Sequence, residues 1–518
     1  MKKNKFIALL LAGAMVSSML TGCGEEAPAT PAANNDTKTE TPAANTDTKT
    51  ETPAETPSGD VVTINVMRDT FNLAAPDTDE VKAVESAIND YIADKINVKI
   101  NLTDIGSGEY KDKANLALAN GEINLLWTAS WQEAINCDAL VQNNAVYDLT
   151  DIIKGSQLYG TMPEAIWAAS RYDGKDFFVP CYKESAEGYN IMIRTDLVDK
   201  YSFDLSTVKK LADVEPWLET LKKEEGLKYP FLTQRTPLYY RWCLDDYDFF
   251  LQNSMIGVNR KTDSVECTIN SDSYKNFCKL MGRWAELGYL SEDDLTKTTT
   301  DTTTQTQDWG ITYWTMVPND EEADSRYGQS VEMIPVTDKY AHSTTTLGSC
   351  FCVTSNSSEA EAKACVDFLG LMYSDTTLAN LYTFGLEGTD YTVLADGHFE
   401  KTEAGKYNHS AWESGNVMSI GLEKGEPDNK YDLYNDFNKA AVASCAAGFR
   451  MDKSAVEAEW AACQSVFDEF GYVLENGGYA EADVEAAIAK YQERLDDAGF
   501  QAVLAEAQKQ YDEWKKTR

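Results

Sequence analysis

Aromatic rings crowd together with charged and polar groups at a few places along this chain. Tyr239, Tyr240, Arg241 and Trp242, with Asp245 close behind, put three rings and two charges into seven positions after Thr236-Pro237. Such density in a turn is unusual for a core. Flat apolar rings stack on the C–H faces of a pyranose, and planar polar groups bond its hydroxyls, so this composition suits a sugar. Trp309, Tyr313 and Trp314 form a second group. Alternation along a strand there buries one face and leaves one of them to meet a ligand. Thr128, Ser130 and Trp131 form a third group, in which Trp131 either packs in the core or faces a ligand. Arg68 and Asp69 form a fourth.

Other chemistries find less material. Three histidines (His342, His398 and His409) leave little for a histidine-rich metal site or a histidine-based triad. No Gly-Xaa-Ser-Xaa-Gly elbow and no phosphate-cradling glycine loop occurs. Cys350-Phe-Cys352 has one intervening residue and no second cysteine or histidine cluster, which is not a zinc pattern. No metal and no cofactor are therefore expected. The 84 acidic residues leave a glycoside-hydrolase carboxylate pair open. Against 46 basic residues they give a formal charge of −38, which argues against nucleic acid and against a polybasic membrane patch. Eleven cysteines in 518 residues do not make a disulfide scaffold. The ten that follow Cys23 are expected to be reduced and mostly buried, with disulfides as the alternative.

Positioning the candidate residues falls to the elements around them. Residues 61–67 are β-branched and alternating, a strand. Asp77, with Glu80 three residues on, opens a helix whose Val81, Val84, Ile88, Tyr91 and Ile92 recur at helical spacing. Val98, Ile100 and Leu102 alternate as a second strand. Strand, helix, strand of this length is a parallel βαβ unit with a right-handed crossover. A helix over 110–119 and a strand over 123–128 follow. In open α/β sheets, ligands bind beyond the carboxyl ends of the strands. Arg68, Asp69, Thr128, Ser130 and Trp131 fall there. Further on, the spacing predicts amphipathic helices over 208–223 and 273–287, a Thr-rich loop over 295–307, and strands over 311–316 and 331–336. It also predicts a helix over 360–373 and helical blocks over 453–474 and from 481 to the end, with apolar stripes that serve the core.

The chain opens with Lys2, Lys3 and Lys5, then a mostly apolar run from Phe6 to Met19 that is too short to span a bilayer, then Leu20-Thr21-Gly22-Cys23. This looks like a bacterial lipoprotein signal peptide over 1–22, cleaved before Cys23, whose thiol then carries diacylglycerol. Residues 24–60 repeat a Thr-Pro-Ala-Ala-Asn unit and hold no aromatic or large aliphatic residue. They cannot offset their chain entropy by burial, and read as a disordered tether with a reach of about 35 Å. The expected location is the extracellular face of the cell membrane, with the lipid on Cys23 as anchor.

Several segments together resemble a known family. They are Ile123-Asn-Leu-Leu-Trp-Thr-Ala-Ser-Trp131, Asn144-Ala-Val-Tyr-Asp-Leu-Thr-Asp-Ile-Ile153, Asp173-Gly-Lys-Asp-Phe-Phe-Val-Pro180, and the run from Tyr189 to Tyr201. Later come Phe384-Gly-Leu-Glu-Gly-Thr-Asp-Tyr391, Trp412-Glu-Ser-Gly-Asn416 and Tyr511-Asp-Glu-Trp514. In order and spacing they resemble extracellular solute-binding proteins of ABC importers, the carbohydrate-type family 1 group. Within it they resemble a Gram-positive lipoprotein subgroup with a C-terminal domain of unknown function. The resemblance implies an α/β, two-lobe, type II periplasmic-binding-protein-like fold with hinge-linked lobes, ligand in the cleft and a helical C-terminal region. It puts lobe one at about 61–178 plus 306–347, and lobe two at about 183–305 plus 350–518, the subgroup domain being about 370–518. It adds Tyr189, Glu387 and Trp412 to the candidate ligand contacts. It implies a non-catalytic monomer that takes a sugar or oligosaccharide to ABC permease subunits. An anchored glycoside hydrolase and a peptide-binding protein of the same fold are the alternatives.

Overall fold

The β-branched run that opens the folded body pairs on both of its edges. The computed structural model describes residues 59–71, 76–233, 239–251, 254–293, 306–318, 320–341, 343–407 and 409–516. The expected signal peptide, Cys23 and all but the last two residues of the tether lie outside the described residues, as does most of the Thr-rich stretch. Strand β1 (Val62–Asp69) runs parallel to β2 (Val98–Ile105) on one side and to β3 (Leu125–Thr128) on the other. The helix Thr78–Ile92 crosses between β1 and β2 and buries Val81, Val84, Ile88 and Ile92. Asp77 caps it by accepting from the amides of Asp79 and Glu80, as the sequence predicts. The next helix, Ser107–Asn120, returns the chain to β3 and closes on Gly121, whose φ of 69° is the left-handed conformation glycine adopts freely.

Two sheets organise the body. The second is built from β5 (Tyr189–Arg194), β6 (Tyr229–Phe231), β7 (Trp309–Thr315) and β8 (Val331–Pro335), which follow β4 (Phe178–Pro180) of the first sheet. β5 sits between β8 and β7, antiparallel to both, with Ile193 opposite Glu332 and Ile311. β9 (Cys350–Val353) then returns to the first sheet and wedges antiparallel between β3 and β4. The first sheet thus reads β2-β1-β3-β9-β4 and the second β8-β5-β7-β6.

This pairing corrects the expected division of the lobes. Residues 309–335 belong with β5, not with β1, and 350–353 belong with β3. The two cores follow the sheets. One gathers Ile64, Leu125, Trp127, Phe351, Phe368 and Tyr407, and the other gathers Ile191, Phe231, Tyr313, Phe467 and Tyr511. Residues from 359 to about 418 therefore pack on lobe one, and the C-terminal helices Glu457–Glu475, Val484–Asp497 and Phe500–Lys515 pack on lobe two. The expected helix over 208–223 is broken into a 3-10 turn at Leu211–Val214, an α-turn at Glu215–Thr220 and a wider turn to Glu225. The Asp213 carboxylate takes the amides of Lys209 and Lys210, and Pro216 brings no N–H, so the helix starts late. The last helical block breaks at Gly499, φ 88°.

The lobes are joined by segments that lie side by side. Cys181 N donates to Ser349 O at 2.9 Å, and Glu187 and Tyr340 exchange backbone bonds at 2.8 and 2.7 Å. Ser185 N donates to Asn438 Oδ1 at 2.8 Å, and Val442 pairs with Tyr340. Among the described residues no helix is long and apolar enough to cross a membrane, and no group of His, Cys, Asp and Glu is arranged to hold a metal ion.

Candidate functional site

The carboxyl ends of β1 and β3 point the same way because the strands are parallel, and an aromatic cluster forms just beyond them. Phe71 lies 4.6 Å from Trp412 and 5.0 Å from Trp127, centroid to centroid. Trp131 lies 6.1 Å from Phe71, 6.0 Å from Trp127 and 6.4 Å from Trp412. The four rings differ in exposure. Trp127 is buried and its Nε1 donates to Ser349 Oγ at 3.0 Å. Trp131 is 42% exposed, and its Nε1 donates to Gly348 O at 2.6 Å. Its pyrrole edge is thus fixed to a lobe-joining segment while much of the side chain stays open to solvent. Ser130 N donates to Leu347 O at 2.8 Å and ties the same turn to the same segment.

Phe71 holds a φ of 53°, a strained conformation for a residue with a side chain. The Asp69 carboxylate maintains it by accepting from Phe71 N at 2.9 Å and from Ser107 Oγ at 2.8 Å. Burial pushes the Asp69 carboxyl above its usual range, against those two hydrogen bonds. Asp69 is expected from the sequence to meet a ligand hydroxyl. It is instead buried, with its carboxylate engaged by Phe71 and Ser107.

Arg68 is likewise buried, which corrects its expected role. Its Nε and Nη2 donate to the two Asp104 oxygens at 2.7 and 3.2 Å, its Nη1 to Tyr382 O at 2.6 Å, and Nη2 also meets Tyr407 Oη. His409 Nε2 lies 2.8 Å from Asp104 Oδ2, and its Nδ1 lies 3.4 Å from Glu413 Oε1. Burial opposes ionisation of Asp104, but Arg68 and His409 outweigh it and hold the carboxyl well below the usual carboxylate range. This knot ties β1 and β2 to the segment that carries Trp412. Sequence reasoning found neither the knot nor Phe71. The signal for Phe71 was its place two residues after the end of β1.

The lobe-two candidates make a second cluster. The Arg241 guanidinium lies 5.5 Å from the Tyr189 ring and 5.4 Å from the Tyr313 ring, and Trp242 meets Tyr313 edge-on at 5.5 Å. Cation and rings at this spacing attract. Tyr189 and Tyr313 are buried, with their hydroxyls on Glu187 and on Thr233 O. Trp242 Nε1 is buried and meets no acceptor among the described residues. Asp245 is exposed and accepts from Asp338 N at 3.1 Å and Tyr340 Oη at 2.9 Å, both on a lobe-joining segment. Trp314 is half-buried under the Arg326 guanidinium at 3.2 Å.

Other candidates fall in the core or away from both clusters. Thr128 is buried with its hydroxyl on Ile135 O. Tyr239 is buried against Tyr274 and Phe277. Trp309 packs on Tyr327 in a small core with Tyr229 and Val331. Glu387 is exposed beside the hairpin Tyr391–Val393 and Phe399–Lys401, outside the aromatic cluster. The Tyr240 side chain and Thr236-Pro237 lie outside the described residues. A depression of about 620 Å³ lined by Tyr147, Asp148, Asp151 and Lys175 sits at the opposite end of β9 from Trp131 and includes none of the candidates.

Comparison with known proteins gives this geometry a context. The model of the family described as bacterial extracellular solute-binding protein matches residues 86–397. A domain of unknown function matches residues 445–516, a shorter stretch than the expected 370–518. A carbohydrate ABC transporter substrate-binding protein of Streptococcus pneumoniae is 24% identical over 454 residues, covering 83% of this chain and 87% of that protein. The crystal structure of an N-glycan transport solute binding protein of Streptococcus pneumoniae superposes with a TM-score of 0.76 at 22% identity, over 88% of this chain and 99% of that one. The alginate-binding protein AlgQ2 superposes with a TM-score of 0.58 at 15% identity, again over 88% and 99%. At these identities the structural likeness speaks for the fold, which is the two-lobe type II arrangement.

Proposed function

Because the chain belongs to the bacterial extracellular solute-binding protein family, we propose that it captures a carbohydrate, an oligosaccharide above all, between its lobes and delivers it to the membrane subunits of an ABC importer. The observation that carries this reading is the ring cluster of Phe71, Trp131 and Trp412 beyond the ends of β1 and β3, with Trp131 42% exposed. A sugar ring stacks its C–H face on such a surface, and aromatic contact adds energy beyond the area it buries. Arg241 and Trp242 supply a cation and a second aromatic edge on lobe two. Both clusters are tied to the lobe-joining segments, so a ligand held by both couples binding to closure. The carbohydrate and N-glycan transport proteins similar to this chain support the same class of ligand.

The protein acts without catalysis in this reading. Two acids adjoining the ring cluster in the chain, Asp69 and Glu413, are buried, and Asp69 is committed to Phe71 and Ser107. The mature chain starts at Cys23, carries lipid there and works as a monomer on the extracellular face. A thermal-shift screen over glycans and peptides tests the reading, with the Man5GlcNAc glycan bound by the pneumococcal N-glycan protein in the panel. A ligand at a hundred times its Kd raises stability by about 2.7 kcal/mol. A peptide that stabilises while no glycan does, or a glycan that is cleaved during incubation, rejects it.

A further inference from the structure

The C-terminal region matched as a domain of unknown function ends its first long helix, Glu457–Glu475, on a carboxylate that reaches into lobe two. Glu475 is fully buried. Its Oε2 accepts from the backbone N of Tyr239 at 3.0 Å and from Ser254 Oγ at 3.2 Å. A buried carboxylate is costly unless hydrogen bonds compensate it, and those bonds are then strong and directional. Tyr239 is gripped at its other end as well. Its hydroxyl lies 3.1 Å from Ser271 Oγ, and its ring stands edge-on to Tyr274 at 4.8 Å. Ser271 in turn caps the helix Asp272–Glu286 by accepting from Tyr274 N.

Tyr239 begins the single turn Tyr239–Trp242, and Arg241 and Trp242 follow on it. Those two side chains are half-buried and meet Tyr189 and Tyr313 at the edge of the lobe-two core. A turn this short has no helical stability of its own. Its position is set by what holds Tyr239. The same C-terminal region grips the strands that follow. Ala446 N donates to Asp248 Oδ2 at 2.8 Å, Val265 N to Gln508 Oε1 at 2.7 Å, and Tyr511 Oη to Asp263 at 2.6 Å.

We propose that Glu475 is a positioning residue for ligand binding, and that the C-terminal domain serves as a brace that fixes Tyr239 and thereby aims Arg241 and Trp242 from lobe two. The proposal rests on the carbohydrate-binding reading for its consequence, though not for its geometry. Two readouts separate them. The first is hydrogen–deuterium exchange of the ligand-free protein. Glu475→Ala and Glu475→Asp, which withdraws the carboxylate by one methylene, should speed exchange over 239–245 by about tenfold or more while the helices of 457–515 keep wild-type protection. Glu475→Gln retains an acceptor oxygen and should stay near wild type. Glu457→Ala, at an exposed position of the same helix, is the control. The second readout is affinity for Man5GlcNAc, which should fall in Ala and Asp and recover in Gln. Unchanged exchange at 239–245 in both Ala and Asp overturns the brace. So does a rise there that comes only with equal loss across 457–515. A wild-type protein that binds no glycan counts against the carbohydrate reading, and the exchange experiment still decides the brace.

Discussion

Trp127 and Trp131 stand four residues apart and touch each other, yet one is 1% exposed and the other 42%. Trp127→Ala removes a ring from the packed interior of lobe one and should cost about 3–5 kcal/mol of stability in denaturant melts. Trp131→Ala should melt close to wild type and weaken glycan binding about ten- to a hundredfold by calorimetric titration. From sequence, Trp131 was poised between core and ligand, because strand alternation stops at Thr128 and nothing local decides which way the next rings turn. Arg68 and Asp69 were placed at the right strand end but in the wrong role. Two of the residues that engage Arg68, Tyr382 and Tyr407, lie more than three hundred positions away. His409 also gives the fold a pH dependence. Burial and Arg68 draw its proton off, Asp104 and Glu413 hold it on, and the net effect raises it above 6.5. The folded state therefore binds the proton more tightly than the unfolded one. That stabilisation is complete below the unfolded pKa and is lost as pH rises through the folded one. The stability difference between wild type and His409→Gln should accordingly shrink from acid toward alkaline pH, and a difference that grows instead would contradict the assignment.

At the scale of elements, local rules worked where a stretch of chain meets its own neighbours. The capped helix after Asp77 and the β1–helix–β2 unit were legible because both ends of the crossover lie within forty-four residues, Val62 to Ile105. The expected helix over 208–223 was not, since its apolar period is helical while Asp213 and Pro216 delay the start. Helix packing in lobe two leaves a sharper test at Gly282. A Cβ there would stand 2.5 Å from Tyr479 O and 3.0 Å from Glu481 N, both backbone atoms. Alanine gains about 1 kcal/mol of helix propensity, but overpacking against backbone costs about 1–3 kcal/mol or more. Gly282→Ala should therefore lower the melting temperature. A rise would mean that the loop carrying Tyr479 yields without cost.

For the whole molecule, the joining segments that run beside one another at 181–188, 337–349 and 429–444 are the places where closure can occur. Saturating glycan should reduce the radius of gyration in small-angle scattering, and an unchanged radius at confirmed saturation would exclude cleft closure. The two-lobe plan was legible through resemblance, but the exchange of segments between lobes was misplaced. Sequential strands usually neighbour one another, but β8 and β9 lie in different sheets. β9 pairs with β3 only after the whole second sheet has intervened, and Cys350 reaches the carbonyl of Thr128 across 222 positions. That long return has a consequence for biogenesis. A chain delivered across a membrane from its N-terminus emerges with β3 and β4 already out and their shared neighbour still inside. Both present bare edges until Val353 has cleared the exit. Lobe two in turn waits for helices that end at Lys515. Lobe one cannot finish before residues to about 418 arrive, nor lobe two before almost the last residue, so the interval between first emergence and release is when this protein is most exposed to proteases and most in need of a chaperone.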